Sequence, residues 1–132
     1  MNSRHALTLG AALVFAAVLA ACGGNSYSSP MSPSPIPTPP TGSGADLVIT
    51  ITGQNGTRSF SPNPGSLTTG RKVAFFNADS VVHTATADNG AFDTGNIGPG
   101  ALSGLITIAA AGSYSYHCLL HPTMVGTLNV TQ

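Results

Sequence analysis

The chain has 132 residues, enough for one domain of ordinary size, and its four Lys and Arg side chains balance four Asp and Glu. Charged residues make up only 6% of the chain, so the sequence lacks the basic surface that nucleic-acid binding requires, and we expect no nucleic-acid partner. Two cysteines can form at most one disulfide, which excludes a disulfide-stapled scaffold. Sixteen Gly and ten Pro favour turns and loops over long helices.

The first 21 residues are typical of an export signal. Arg4 is followed by residues 6–21, which carry no charge and are shorter than the about 20 apolar residues of a membrane-spanning helix. This stretch ends in the letters LAAC, whose cysteine is Cys22, and it resembles the lipobox of bacterial lipoproteins. The resemblance implies removal of residues 1–21, a diacylglyceryl group on Cys22, and anchoring at the periplasmic or extracellular face of a bacterial membrane. The alternative is an ordinary secretory signal cut after Ala21.

Residues 22–44 form a segment rich in Pro and Ser. Because proline lacks a backbone N–H, this segment favours extended polyproline geometry over a helix or a sheet. We interpret residues 22–44 as a semi-rigid linker between the lipid on Cys22 and a domain in residues 45–132. The alternative is that the prolines form a ligand for a recognition domain.

Short stretches of alternating apolar and polar residues run through residues 45–132. At the start of the domain, for example, Leu47, Ile49 and Ile51 share one face. Turn residues separate these stretches, and no clear helix start occurs among them. The pattern predicts an all-β sandwich or barrel. The predicted strands span residues 46–52, 73–76, 81–86, 102–108, 113–118 and 127–131.

Side chains that can bind a metal are concentrated between two of these strands. Cys118, His121 and Met124 lie on one short loop, and His83 lies on another predicted strand. Two His, one Cys and a weak Met are the ligand set of a blue copper site, since soft sulfur favours Cu(I) and imidazole binds both oxidation states. His117 alternates away from Cys118, and we expect it not to be a ligand. The alternatives are a core histidine at His83, core packing by Met124, a buried inert cysteine at Cys118, and a zinc site formed by the cysteine and two histidines.

Several motifs resemble those of the cupredoxins, specifically the plastocyanin and amicyanin group, over essentially all of residues 45–132. These motifs are Phe60-Ser61-Pro62-Asn63-Pro64, Gly70-Arg71-Lys72-Val73, Phe75-Phe76-Asn77-Ala78-Asp79, Val82-His83-Thr84, Pro99-Gly100, the strand into Cys118, and the spacing Cys118-x-x-His121-x-x-Met124. The resemblance implies a Greek-key β-sandwich or barrel holding one copper ion that cycles between Cu(I) and Cu(II).

The same resemblance implies a role for each ligand residue. His83 and His121 bind copper through a ring nitrogen. Cys118 binds as a thiolate, and Met124 is the weak axial ligand. One residue departs from the family pattern: Thr84 stands where several members have an Asn that ties the two ligand loops together. The hydroxyl of a threonine is able to form a similar hydrogen bond.

The expected function is one-electron transfer by a single type 1 copper outside the cytoplasm. The resemblance implies that redox proteins dock on an apolar surface around His121, formed by Leu119, Leu120 and Pro122. We expect the protein to be a monomer. The alternative is a copper-handling protein that binds copper for delivery or tolerance, because such a protein could use the same ligands and would release the metal.

We expect no enzymatic activity. After the two ligand histidines, only His117 remains in residues 22–132 for the additional coppers that oxidases and nitrite reductases require. Cys118 is expected to be buried under the ligand loop, whereas a nucleophilic cysteine must be exposed and activated. The four acidic side chains show no pairing that suggests acid–base catalysis; they are Asp46, Asp79, Asp88 and Asp93.

Overall fold

The computed structural model describes residues 38–132. The predicted signal in residues 1–21, the lipidation site Cys22 and residues 22–37 of the linker lie outside the described residues. In the part that is described, no helix has the length and apolar character needed to span a bilayer. The strands are β1 (Leu47–Ile51), β2 (Phe60–Ser61), β3 (Gly65–Thr68), β4 (Lys72–Asn77), β5 (Thr86–Ala87), β6 (Ile106–Thr107), β7 (Gly112–His117) and β8 (Val125–Thr131), with one 3-10 turn at Gly56–Arg58.

The strands form two four-stranded sheets of mixed direction. One sheet has the order β2-β1-β4-β6, and the other has the order β3-β8-β7-β5. Strands β1 and β4 are parallel, as are β3 and β8, while β7 and β8 are antiparallel along their whole length. The prediction of an all-β sandwich is therefore confirmed. The antiparallel pair β7 and β8 matters most for function, because the predicted ligand loop joins these two strands.

The core lies between the sheets, where the apolar side of each strand turns inward. Ile49 and Ile51 are fully buried on β1, as the alternation of the sequence predicts. On β7, Tyr116 is also buried, and its ring packs edge-on against Phe60 and Phe75, with centroid distances of 4.9 and 5.4 Å. This aromatic cluster supports the strand that leads into the ligand loop.

Two predicted strands are shorter than expected because side chains replace part of the backbone pairing. Of residues 81–86, only Thr86 belongs to a strand, and His83 forms an isolated bridge with Ile97. The buried amide of Asn77 donates to the carbonyls of Val81 and Ile97 at 2.7 and 2.9 Å, so the chain turns there.

The second shortened strand is that predicted in residues 102–108, of which Ile106–Thr107 forms a strand and Leu102 forms only an isolated bridge with Phe76. The backbone N–H of Phe75 donates to the hydroxyl of Ser103 at 2.9 Å, where a continuous strand would offer a carbonyl. Two short strands are not among those predicted: β2, which has two residues, and β3, which has four residues, follows a proline-rich turn and pairs with the last strand of the chain.

Candidate metal centre

The loop between β7 and β8 holds its shape through its own backbone hydrogen bonds. The N–H of His121 donates to the carbonyl of Cys118 at 3.2 Å, and the N–H of Met124 donates to the carbonyl of His121 at 2.9 Å. The N–H of Cys118 donates to the carbonyl of Met124 at 3.1 Å, which closes the loop at its base. Seven residues therefore form a compact turn with the three predicted loop ligands at fixed positions.

Three of the four predicted ligands converge on one point. The Nδ1 atoms of His83 and His121 are 3.2 Å apart, and the Sγ atom of Cys118 lies 3.8 and 3.7 Å from them. His83 and Cys118 are fully buried, and His121 is half-buried. Within residues 38–132 this is the one cluster of three or more His, Cys, Asp or Glu side chains able to hold a metal ion.

The spacing of these three atoms suits a single metal ion. With bonds of about 2.0–2.1 Å to nitrogen and about 2.3 Å to sulfur, a trigonal plane separates its donors by roughly 3.5 Å between nitrogens and roughly 3.8 Å between nitrogen and sulfur. The separations in the structure are close to these values. The donor set of two imidazoles and a thiolate fits copper, because it combines soft and borderline ligands.

The environment of Cys118 favours the thiolate form of its side chain. Burial opposes ionisation of the thiol, but the backbone hydrogen bonds from Thr84 and Leu120 and the contacts of the sulfur with the rings of His83 and His121 outweigh it and lower the pKa of Cys118 to about 6. The N–H of Thr84 lies 3.3 Å from Sγ. A metal ion thus meets a sulfur that already favours the anionic form.

Thr84 also connects the two chain segments that carry the predicted ligands. Its hydroxyl accepts a hydrogen bond from the backbone N–H of Leu119 at 2.8 Å. One residue therefore contacts the sulfur of Cys118 through its backbone and the next residue of the loop through its side chain. This is the kind of hydrogen bond expected of the Thr84 hydroxyl in place of an asparagine side chain.

Three other residues near the cluster differ in their position relative to it. Met124 is fully buried in the same apolar cluster as Cys118, at the end of the ligand loop. His117 lies outside the cluster, and its Nδ1 atom contacts a carboxylate oxygen of Asp88 at 2.6 Å. Asp79 was not predicted to take part in the site, yet its Oδ2 atom lies 2.8 Å from Nε2 of His83. The signal available in the sequence was the spacing of four residues between an acid and a ligand histidine within a turn.

Apolar side chains are exposed on both segments that supply the cluster. On the loop, Leu119 and Leu120 are 53% and 51% exposed, and Pro122 is exposed beside the half-buried His121. On the other segment, Val81 and Val82 are exposed next to His83. Of these residues, Leu119, Leu120 and Pro122 are neighbours in the loop of His121, the one predicted ligand whose side chain reaches solvent.

Comparisons with known proteins place this geometry in a structural class. No protein-family model and no curated protein matches the chain. Among solved structures, a novel purple cupredoxin from Nitrosopumilus maritimus is 27% identical, with a TM-score of 0.57 and coverage of 65% of this chain and 100% of that chain. A Cu(I) form of an amicyanin mutant is 22% identical, with a TM-score of 0.55 and coverage of 66% and 82%. An oxidized amicyanin mutant is 23% identical, with a TM-score of 0.56 and the same coverage.

The fold and the site lead to the same class of protein. The two mixed sheets match those structures, and the loop between β7 and β8 carries a cysteine and a histidine that meet a distant histidine at one point. A buried methionine ends the same loop. The chain is therefore a cupredoxin in fold, and its His-Cys-His-Met site fits a type 1 copper site with a single copper ion.

Proposed function

We propose that the protein is a one-electron carrier, not an enzyme, whose single copper is bound by His83, Cys118 and His121, with Met124 as a weak axial ligand. The observation that supports this most strongly is the convergence of two Nδ1 atoms and one Sγ atom within 3.8 Å of one another. Copper in such a site supplies a one-electron couple, Cu(I)/Cu(II).

The residues around the site hold the ligands still, which is what fast electron transfer requires. The backbone of His83 is paired with Ile97 in both directions, at 3.1 and 2.8 Å. The loop of Cys118 is closed at its base and tied to the segment of His83 through Thr84. Because hydrogen bonds fix the backbone of each ligand residue independently of the metal, we expect little rearrangement when the oxidation state changes.

Electrons would enter and leave through the half-buried His121. Leu119, Leu120 and Pro122 are neighbours of His121 in the loop, and their side chains are exposed. An apolar surface of this kind suits redox proteins that dock briefly over a small area, since there are few charges to hold them. The nearly neutral chain, with four basic and four acidic residues, gives no strong electrostatic steering. We propose that the carrier itself is a monomer.

We further propose that the carrier is tethered outside the cytoplasm by a lipid on Cys22. The support is the LAAC sequence at the end of an uncharged stretch and the Pro- and Ser-rich linker in residues 22–44. Growth of expressing bacteria with a labelled fatty acid tests this proposal. The label should appear on the wild-type protein and be absent from Cys22→Ala, while equal labelling of both would contradict it.

Variants of the ligand residues test the copper site itself. Cys118→Ser should lose the intense thiolate-to-copper absorption band, and His121→Ala should change its position or intensity, while circular dichroism still shows a folded β protein in both variants. His117→Ala is the matched control, because this histidine is next to Cys118 but contacts Asp88 instead of the cluster. The control should keep the band. A band that survives Cys118→Ser would contradict the assignment of the ligands.

Repeated oxidation and reduction separates a carrier from a copper-handling protein. A carrier keeps one copper per chain through both states, because its ligands are held in place without the metal. Copper content measured after several redox cycles against a Cu(I) chelator should therefore stay at one equivalent. Release of Cu(I) on reduction would favour copper delivery or tolerance instead.

A further inference from the structure

A carboxylate lies behind one of the proposed copper ligands, on the side away from the metal site. The Oδ2 atom of Asp79 is 2.8 Å from Nε2 of His83, while Nδ1 of the same ring faces His121 and Cys118. The ring of His83 is fully buried, whereas the carboxylate is 24% exposed. A neutral imidazole carries its proton on one nitrogen, so the partner of Nε2 decides whether Nδ1 is free to bind a metal.

Hydrogen bonds within the turn that carries Asp79 orient this carboxylate. The side-chain oxygen of the buried Asn77 accepts a hydrogen bond from the N–H of Asp79 at 2.9 Å, and its amide donates to the carbonyl of Val81 at 2.7 Å. The Oδ1 atom of Asp79 then accepts from the N–H of Ser80 at 2.7 Å. One carboxylate oxygen is thus used by the turn, and the other remains for the histidine.

We propose that Asp79 is a positioning residue that keeps the proton of His83 on Nε2 and so leaves Nδ1 unprotonated for copper. Its negative charge also favours Cu(II) over Cu(I). This inference rests on the proposed copper site. A hydrogen bond from a metal-binding histidine to a carboxylate fixes the orientation of the ring and makes the histidine a better ligand, and its loss typically weakens metal binding by about 10–100-fold.

Two substitutions of Asp79 separate positioning from charge. In Asp79→Ala, Nε2 of His83 loses its acceptor, so both tautomers become populated. In Asp79→Asn, the single amide oxygen is needed by the N–H of Ser80, so the amide NH₂ faces Nε2 and stabilises the tautomer with the proton on Nδ1. Both variants remove one negative charge, but only Asp79→Asn actively favours the tautomer that cannot bind.

Asp88→Asn is the matched control. It removes the same charge from a carboxylate that contacts a histidine at 2.6 Å, but that histidine, His117, lies outside the metal cluster. All variants are made in the full chain, and Cu(II) and Cu(I) affinities are measured by competition with chelators. Nitrogen-15 NMR of the metal-free protein, at a pH where the imidazole is neutral, identifies which ring nitrogen of His83 carries the proton.

The expected results are specific to each variant. Asp79→Ala should bind Cu(II) about 10–100-fold more weakly, and Asp79→Asn at least as weakly as Asp79→Ala. The affinity for Cu(I) should fall less than the affinity for Cu(II). Each tenfold difference between the loss of Cu(II) affinity and the loss of Cu(I) affinity raises the reduction potential by about 59 mV. In the metal-free protein, the proton should be on Nε2 in the wild type and on Nδ1 in Asp79→Asn. Asp88→Asn should match the wild type.

Two results would overturn the inference. The first is a metal-free wild type with the proton of His83 on Nδ1. The second is Asp79 variants that bind copper like the wild type and leave the tautomer unchanged. Failure of the proposed function gives a different result. A wild-type protein without a type 1 copper signal would refute the proposal of an electron carrier. The NMR measurement on the metal-free protein would still decide the role of Asp79.

Discussion

The hydrogen bond between Thr84 and Leu119 is predicted to hold the ligand loop against the strand that follows His83. Thr84 is buried, and its hydroxyl accepts the N–H of Leu119 at 2.8 Å. Thr84→Val keeps the shape of the side chain but removes this acceptor. The backbone N–H of Thr84 still reaches the sulfur of Cys118, so the substitution isolates the contribution of the hydroxyl.

The size of the effect follows from the burial of the donor. A backbone N–H left without a partner costs about 1–3 kcal/mol. The N–H of Leu119 is partly buried and its side chain is exposed, so water can reach it in part, and we expect a loss of about 1–2 kcal/mol. Such a loss changes an opening equilibrium by about 5–30-fold. Amide hydrogen exchange at Leu119 in the metal-free protein should therefore be about 5–30-fold faster in Thr84→Val.

Thr84→Ser is the control for this experiment. Serine keeps the hydroxyl and loses a buried methyl group, which costs about 0.8 kcal/mol of global stability without removing the acceptor. Both variants should therefore melt at a lower temperature than the wild type. Only in Thr84→Val should hydrogen exchange at Leu119 increase by more than the loss of global stability explains. Equal exchange at Leu119 in Thr84→Val and Thr84→Ser would refute the reasoning.

Three further predictions concern the core and the loop. Gly126→Ala should destabilise the fold by about 1–3 kcal/mol in denaturant titrations, because a Cβ atom there would lie 2.3 Å from Cζ of Tyr116; an unchanged midpoint would contradict this packing. Met124→Leu should keep the copper and its colour but raise the reduction potential measured by redox titration, and loss of all copper would argue against a weak axial ligand. In the metal-free protein, Cys118 has a pKa of about 6 against an ordinary value of 9.0, so its thiolate adds stability that is complete above pH 9 and is lost as the pH falls to 6. The stability difference between wild type and Cys118→Ser should therefore grow from pH 6 to pH 9, and a difference that does not vary with pH would contradict the lowered pKa.

Much of the fold could be predicted because burial imposes a period of two on the strands. Residues 46–52 and 113–118 alternate cleanly, and the structure buries Ile49, Ile51 and Tyr116 as that pattern requires. Residues 81–86 also alternate, yet most of them form no strand. There, the amide of Asn77 donates to the carbonyls of Val81 and Ile97, and the alternation of residues 81–86 gives no sign that a side chain takes the place of a strand partner.

The predicted ligands were accessible to sequence analysis because their residue types are rare in this chain and three of them share one loop. The structure brings His83, Cys118 and His121 to one point across 38 residues of sequence. The surrounding hydrogen bonds were not accessible in the same way. The sequence contains both Asp79 and His83, but only the geometry of the turn shows that one carboxylate oxygen is occupied and the other faces the ring.

The most direct test of the copper site is a spectrum of the wild-type protein with one equivalent of Cu(II). Visible absorption and electron paramagnetic resonance are recorded on the same sample. A type 1 site predicts an intense thiolate-to-copper band together with a narrow copper hyperfine splitting, because the sulfur of Cys118 shares electron density with the metal. A pale sample with ordinary tetragonal copper signals, or rapid reduction with loss of the metal, would contradict the account.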